Sequence, residues 1–252
     1  MKQLYFIGSP RTGSTLLGQI INYHPNCLIS NESRFLQKVI EKGQDKISAT
    51  QEMMIDACYQ FNESLEKTDR FSKTIKTYQP KWQSFEQFKG NPLFDKKEIL
   101  IIGDKKAGGN IHVYRNNKEK FNTFVAEEKP LFLMITRNPA ETALSYLKSH
   151  GSGSYEEALR KVLIDTRDAY MFGINCGLKI VRYEELVNST DNFLIDLFSF
   201  LSLETSKEWR KAISQIVSHE KVQVSNEMLT TTKNILSNEF HQIEFLFDVF
   251  ND

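Results

Sequence analysis

Leu4-Tyr5-Phe6-Ile7-Gly8-Ser9-Pro10-Arg11-Thr12-Gly13-Ser14-Thr15 sets out an apolar run, a loop of small residues and the start of a helix. The run breaks at Gly8, and beyond the loop Leu16, Leu17, Ile20 and Ile21 recur on one helical face, so the order is strand, loop, helix. Such a turn cradles a phosphate. The amides of the loop and of the first helical turn point inward, and the helix dipole adds partial positive charge where an anion would sit. Gly8-x-x-x-x-Gly13-Ser14-Thr15 comes close to the Walker A pattern, but Ser14 stands where a nucleoside triphosphatase carries its lysine. Arg11 is the only cation of the loop. Taken by itself, the loop leaves a plain tight turn open as the alternative.

A chain of 252 residues holds one large or two small domains, and a first strand at the very start favours a single α/β domain over residues 1–252. Its 32 Lys and Arg balance 32 Asp and Glu, which excludes a protein that coats nucleic acid and makes any basic site local. Cys27, Cys58 and Cys176 lack metal or redox spacing, as do the five histidines, so no metal is expected and a reducing compartment suits the thiols. No apolar run approaches the ~18 residues of a membrane helix, and the first apolar stretch is too short for a signal peptide. The expectation is a cytoplasmic protein without a membrane span.

Four more apolar runs follow the first. Cys27-Leu-Ile-Ser30 reads as a short buried strand that ends at Asn31-Glu32-Ser33-Arg34, and Phe35, Leu36, Val39 and Ile40 open another helix. Residues 43–95 form a helical insertion in which Tyr78, Trp82, Phe85 and Phe88 crowd around Pro80, either as the insertion's own small core or as a cap on the acceptor side. Glu98-Ile-Leu-Ile-Ile-Gly103 is a strand of the kind buried on both faces, followed by Asp104-Lys105-Lys106 and Gly108-Gly109. Tyr114 to Glu128 reads as one helix. Leu131 to Ile135 is a strand that delivers Thr136-Arg137-Asn138-Pro139, where Asn138 suits a helix N-cap and Pro139 the first helical turn. Arg137 thereby stands beside a fresh helix N-terminus, a second possible anion site. A helix runs from there to Gly151, another from Tyr155 to Phe172, and Leu178 to Val181 is the fifth strand, leading into Arg182-Tyr183-Glu184-Glu185-Leu186. The pattern is helical from Asn192, and Ile235 to Phe250 reads as a closing amphipathic helix.

Five apolar runs alternating with helices give a doubly wound parallel sheet. Ligands of such sheets bind outside the carboxyl ends of the strands. Arg11, Glu32, Lys105, Arg137 and Tyr183 follow those ends one after another. Each has a bland explanation: Glu32 as a helix-start carboxylate, Lys105 as solvated charge. Those explanations would not gather all five at one crevice.

In their order and spacing across residues 4–187, these stretches resemble the sulfotransferases that use 3′-phosphoadenosine-5′-phosphosulfate (PAPS). Gly8-Ser-Pro-Arg-Thr-Gly-Ser-Thr15 resembles their 5′-phosphosulfate loop. Thr136-Arg137-Asn138-Pro139, with Ser145 eight residues after Arg137, resembles their 3′-phosphate motif, and Arg182-Tyr183-Glu184-Glu185-Leu186 the strand and turn that follow. The resemblance implies a P-loop-type fold and sulfuryl transfer without metal. It implies that Pro10, Arg11, Thr12, Gly13, Ser14 and Thr15 hold the 5′-phosphosulfate, that Arg137 and Ser145 hold the 3′-phosphate, and that Tyr183 lies near the nucleotide. Lys105 would add charge on the transferring group, and adenosine 3′,5′-bisphosphate would be the product. Cytosolic small-molecule sulfotransferases place a histidine where this chain has Ala107. The run His24-Pro-Asn-Cys-Leu-Ile-Ser-Asn-Glu32-Ser-Arg is similar instead to the tyrosylprotein and some bacterial and glycan branches, which makes Glu32 the candidate base. The implied acceptor is a hydroxyl or amine on a small molecule, glycan or peptide. For the family's C-terminal nucleotide-binding segment the resemblance offers Lys221 alone. Two other readings remain: a phosphotransferase of the same fold with Asp104 as a loose Walker B acid on magnesium, and a nucleotide-binding protein without turnover.

Overall fold

Successive residues of a strand face opposite ways, and here both faces are covered. In the computed structural model, which describes residues 1–24, 26–67, 99–217 and 222–247, Tyr5 and Ile7 enter one apolar core while Leu4 and Phe6 enter the other. The later strands divide in the same way: Phe132 and Met134 face the first core, Leu133 and Ile135 the second. A strand covered twice must be apolar at every position, which is why the runs read as continuous rather than alternating.

The strands β1 (Lys2–Phe6), β2 (Cys27–Asn31), β3 (Ile101–Lys105), β4 (Leu131–Thr136) and β5 (Leu178–Arg182) form one sheet in the order β2-β3-β1-β4-β5. Every neighbouring pair is parallel. The doubly wound α/β architecture read from the sequence is thus the one observed. From β1 the chain builds to one side with β2 and β3, then crosses to the other with β4 and β5. The carboxyl end of β1 therefore lies at the switch point where open sheets bind their ligands.

The helices are α1 (Ser14–Asn22), α2 (Lys46–Lys67), α3 (Ala107–Asn116), α4 (Lys118–Glu128), α5 (Pro139–His150), α6 (Tyr155–Gly173), α7 (Tyr183–Asn188), α8 (Thr190–Phe200), α9 (Lys207–Ile216) and α10 (Asn226–Glu239). Local signals set several ends. Asn138 caps α5 by accepting from the amides of Ala140 and Glu141, Gly151 closes it with φ +70°, and Ser154 with Glu157 forms a capping box on α6. Among the described residues no helix is long and apolar enough to cross a membrane.

Several boundaries differ from the sequence reading. β3 runs two residues beyond Gly103, because Asp104 and Lys105 keep register with Ser30 and Asn31 of β2. The single helix expected over Tyr114 to Glu128 is two, parted at Asn117, whose backbone (φ −139°, ψ 43°) leaves the helical region. Gly108 and Gly109, which follow the strand, fall inside α3. The helix expected from Phe35 does begin there, but it is short and takes π-helical form over Gln37–Glu41. The closing helix stops at Glu239 and continues as a 3-10 turn, His241–Leu246, that still buries Ile243 and Leu246. Within the insertion, α2 buries Ala49, Met53 and Ala57. Tyr78, Trp82, Phe85, Phe88, His219 and Lys221 lie outside the described residues.

β2 is an edge strand, and an edge leaves backbone groups unpaired. Asn22, the last residue of α1, fills one such gap: its Oδ1 accepts from the Ile29 amide and its Nδ2 donates to the Ile29 carbonyl at 2.7 Å. Ile29 is buried, so removing that amide strands a donor and an acceptor away from water. We predict that Asn22→Ala costs about 1–3 kcal/mol in urea-induced unfolding. A change below a few tenths would show that water replaces the side chain without penalty.

Candidate active site

Beyond β1, the Ile7 amide still bonds to the Leu133 carbonyl at 3.0 Å, and then the chain turns. Gly8 (φ +123°), Arg11 (+71°) and Gly13 (+97°) all lie at positive φ. The loop's own hydroxyls brace it: Thr12 Oγ1 donates to the Ser9 carbonyl and Ser9 Oγ to that of Pro10. Thr12 and Ser14 are buried while Arg11 and Thr15 are exposed. No side chain caps the start of α1, and no acidic residue occupies its first turn. An anion is the partner that such an N-terminus fits.

Neighbouring elements clamp this loop on two sides. A Cβ on Gly13 would stand 2.5 Å from the Tyr183 ring, so only glycine admits both the conformation and the contact. On the other side Pro10 packs on Gly108 at the start of α3, where a Cβ would meet it at 3.1 Å. The stem of Lys105 runs along α1 at Gly18. The loop thus touches the start of α3 and the start of α7, and the end of β3 lies along the helix that follows it.

Asp104 builds the wall opposite. Its Oδ1 accepts from Ser30 Oγ and from the Ser33 amide, both at 2.9 Å, and its Oδ2 accepts from the Phe35 amide at 3.2 Å. Burial raises the carboxyl pKa, against the pull of those same hydrogen bonds. The grip winds residues 31–35 into a loop in which Glu32 (φ +72°) and Arg34 (φ +61°) take the left-handed conformation. Glu32 is turned outward, its Oε1 3.3 Å from Lys105 Nζ and its Oε2 3.5 Å from Lys106 Nζ. Partial burial disfavours the charged form of Glu32, but the two lysines outweigh it and hold the carboxyl below its ordinary value. Burial lowers the Lys105 pKa, and Glu32 offsets part of that effect.

Toward β4, the Arg137 guanidinium stacks 4.6 Å from the Tyr183 ring centroid, and its Nε donates to Glu141 Oε2 at 3.1 Å. The start of α5 is not the open anion site that the sequence suggested. Asn138 already occupies its amides and Glu141 brings a carboxylate into its first turn. What remains for an anion is Arg137 itself. The Asn138 amide donates to Glu184 Oε1 at 2.8 Å, which fastens this corner to α7. Arg11 Nε reaches across the cleft to Ser145 Oγ at 3.2 Å.

The structure therefore joins Arg11 to Ser145, Arg137 to Tyr183, and Glu32 to Lys105. Lys106, Glu141 and Glu184 were not singled out from the sequence. Glu141 had a signal, four residues after Arg137 in the first turn of the helix that Arg137 precedes; the other two depend on the tertiary path of the chain.

Residues 4–207 match the family model described as Sulfotransferase family. The fold is similar to the sulfotransferase domain of the olefin synthase from Synechococcus PCC 7002, with TM-score 0.52 and 17% identity over 86% of this chain and 77% of that one. A sulfotransferase from Alicyclobacillus acidocaldarius gives 0.53 and 12% over 98% and 95%, and sulfotransferase STF9 from Mycobacterium avium 0.51 and 10% over 99% and 77%. At these identities the likeness is one of fold. No curated protein matches the chain in sequence.

Since Asp104 satisfies three donors at once, Asp104→Ala should cost about 2–4 kcal/mol in urea unfolding, the scale of stranding buried partners. A loss under about 1 kcal/mol would mean that the loop holds its shape without it.

Proposed function

The chain belongs to the sulfotransferase family, and on that premise we propose that it transfers a sulfuryl group from PAPS to a hydroxyl or amine acceptor, with Glu32 as general base. The observation that carries this reading is the pairing of Glu32 with Lys105, whose stem lies along α1, the helix whose N-terminus has no side-chain cap among the described residues. A carboxylate already ionised at neutral pH, beside a cation and opposite an anion site, is the arrangement that an acid-base displacement on an anionic donor requires.

PAPS supplies a sulfuryl group activated by its bond to the 5′-phosphate. The amides of residues 12–15 and the hydroxyls of Ser14 and Thr15 would hold the 5′-phosphosulfate, with Thr12 bracing the loop through Ser9 and Pro10 shaping it against α3. Arg137 and Ser145 would hold the 3′-phosphate, and Tyr183 backs both the loop and the Arg137 guanidinium. Glu32 takes the acceptor's proton as the acceptor oxygen bonds to sulfur. The bridging S–O bond breaks and its electron pair leaves on the 5′-phosphate, giving adenosine 3′,5′-bisphosphate. Lys105 turns its ammonium toward the sulfuryl oxygens, and Arg11, whose guanidinium stays charged and forks across two oxygens, neutralises the leaving phosphate. The acceptor belongs to the class of small molecules, glycans or peptides, and residues 1–252 act as one domain.

A phosphotransferase reading would need Asp104 as a metal ligand. Its two oxygens are engaged by the β2 loop and Ser14 replaces the loop lysine, so both observations weigh against it. We expect adenosine 3′,5′-bisphosphate to raise the melting temperature without added metal, since a ligand selective for the folded state stabilises it by mass action. ATP with magnesium should raise it far less. A larger, EDTA-sensitive shift with ATP would transfer the assignment to phosphoryl chemistry.

Glu32→Gln keeps the shape of the side chain and loses the proton acceptor. Turnover of labelled PAPS, with a panel of hydroxyl and amine acceptors, should fall by about 10²–10⁴. Affinity for adenosine 3′,5′-bisphosphate should not change. A fully active variant would remove Glu32 from the chemistry, and a wild-type protein that binds the nucleotide yet transfers to nothing would favour a binding role.

A further inference from the structure

Lys105 and Lys106 are adjacent in sequence, and on a regular strand their side chains would point to opposite faces. They converge on one carboxylate instead. Lys105 is the last residue of β3, whereas Lys106 has left the strand (φ −139°, ψ 63°) and precedes α3. Lys105 Nζ approaches Glu32 Oε1 and Lys106 Nζ approaches Oε2, so each oxygen has its own cation.

The path of Lys106 is built into α3. Its stem lies flat over Gly109, where a Cβ would stand 2.4 Å from Lys106 Cε and 2.6 Å from Cγ. No other residue type at position 109 leaves that path open. The lysine side chain is 20% exposed and that of Glu32 55%, so the ammonium groups, more than packing, fix the carboxylate in place. Among the described residues the ion pairs of Glu32 are these two, one from β3 and one from the start of α3.

We propose that Lys106 is a positioning residue for the base: it keeps Glu32 aimed from the Oε2 side when Lys105 turns its ammonium to the donor. The inference rests on the reading of Glu32 as base. Lys105, at 8% side-chain exposure, is the more buried of the two and its stem lies on α1 at Gly18, on the helix that the phosphate loop opens, so it is the cation an incoming donor draws away. Without Lys106, that step would leave Glu32 with no partner on an outward-facing loop. With it, the carboxylate passes from two cations to one: still oriented, and a stronger base once the donor is in place.

Carboxyl titration by NMR tests this without an acceptor. In protein carrying carbon-13 at glutamate carboxyls, the Glu32 signal is assigned by its loss in Glu32→Gln. Lys106→Met retains an unbranched stem over Gly109, and Lys106→Gln serves if the Met variant misfolds. Removing a cation that favours the ionised form must move the titration midpoint up, by about one pH unit for an opposite charge at this range. Lys106→Arg should keep the midpoint near wild type, and Lys105→Met should leave it below the ordinary carboxylate value because Lys106 still holds. An unmoved midpoint in Lys106→Met and Lys106→Gln, or an ordinary value in Lys105→Met alone, would overturn the proposal. The base assignment fails separately: a midpoint that moves as described beside a fully active Glu32→Gln enzyme would leave an ion pair with no part in catalysis.

Discussion

The carboxylate of Asp104, buried at the end of β3 and bonded to Ser30, Ser33 and Phe35, is the constraint on which the site depends. Burying an ionisable group without partners costs several kcal/mol, so three donors from β2 and the loop after it close around it. That winding turns Glu32 outward at a φ that a non-glycine residue adopts at a cost of roughly 1–2 kcal/mol. The next residue along, Lys105, lies on α1 and meets Glu32. One strand end therefore orients the candidate base and its cation together, because neighbouring side chains on a strand face opposite sides.

The other half of the cleft is held by stacking and charge in place of a buried carboxylate. Tyr183 touches the phosphate loop at Gly13 with one part of its ring and carries the Arg137 guanidinium over its face. Glu141 grips Arg137 and Glu184 grips the Asn138 amide, so the guanidinium is ordered before any ligand arrives. Ordering a long side chain in advance removes part of the entropic cost of binding. A direct bond from Arg11 to Ser145 ties the loop of residues 8–15 to α5.

The sheet was legible because the inner residues of β1 to β4 are covered on both faces, which leaves a near-continuous apolar run as their signature. The caps at Asn138 and Gly151 were equally plain, each resting on local chemistry. Reading failed where a long-range contact overrides a local pattern. Asp104 and Lys105 look like a polar exit from β3, yet β2 pairing and the β2 loop draw them into the strand. The break at Asn117 falls within a stretch whose composition is helical throughout. Asn138 was read correctly as a cap, but the same capping closes the helix end that was expected to receive an anion. Lys106 was invisible as a site residue because its reach to Glu32 depends on the space above Gly109, which only the folded chain displays.

The central claim is that one cleft holds a nucleotide with two separate phosphates, between the loop of residues 8–15 and Arg137, with Glu32 on the acceptor side. A crystal structure of the complex with adenosine 3′,5′-bisphosphate tests it most directly. The account predicts the 5′-phosphate on the amides of Gly13, Ser14 and Thr15, and the 3′-phosphate on Arg137 and Ser145. The Glu32 carboxylate should face the space next to the 5′-phosphate. A nucleotide bound elsewhere, or one whose 3′-phosphate lies away from Arg137 while that side chain serves only Glu141, would contradict it.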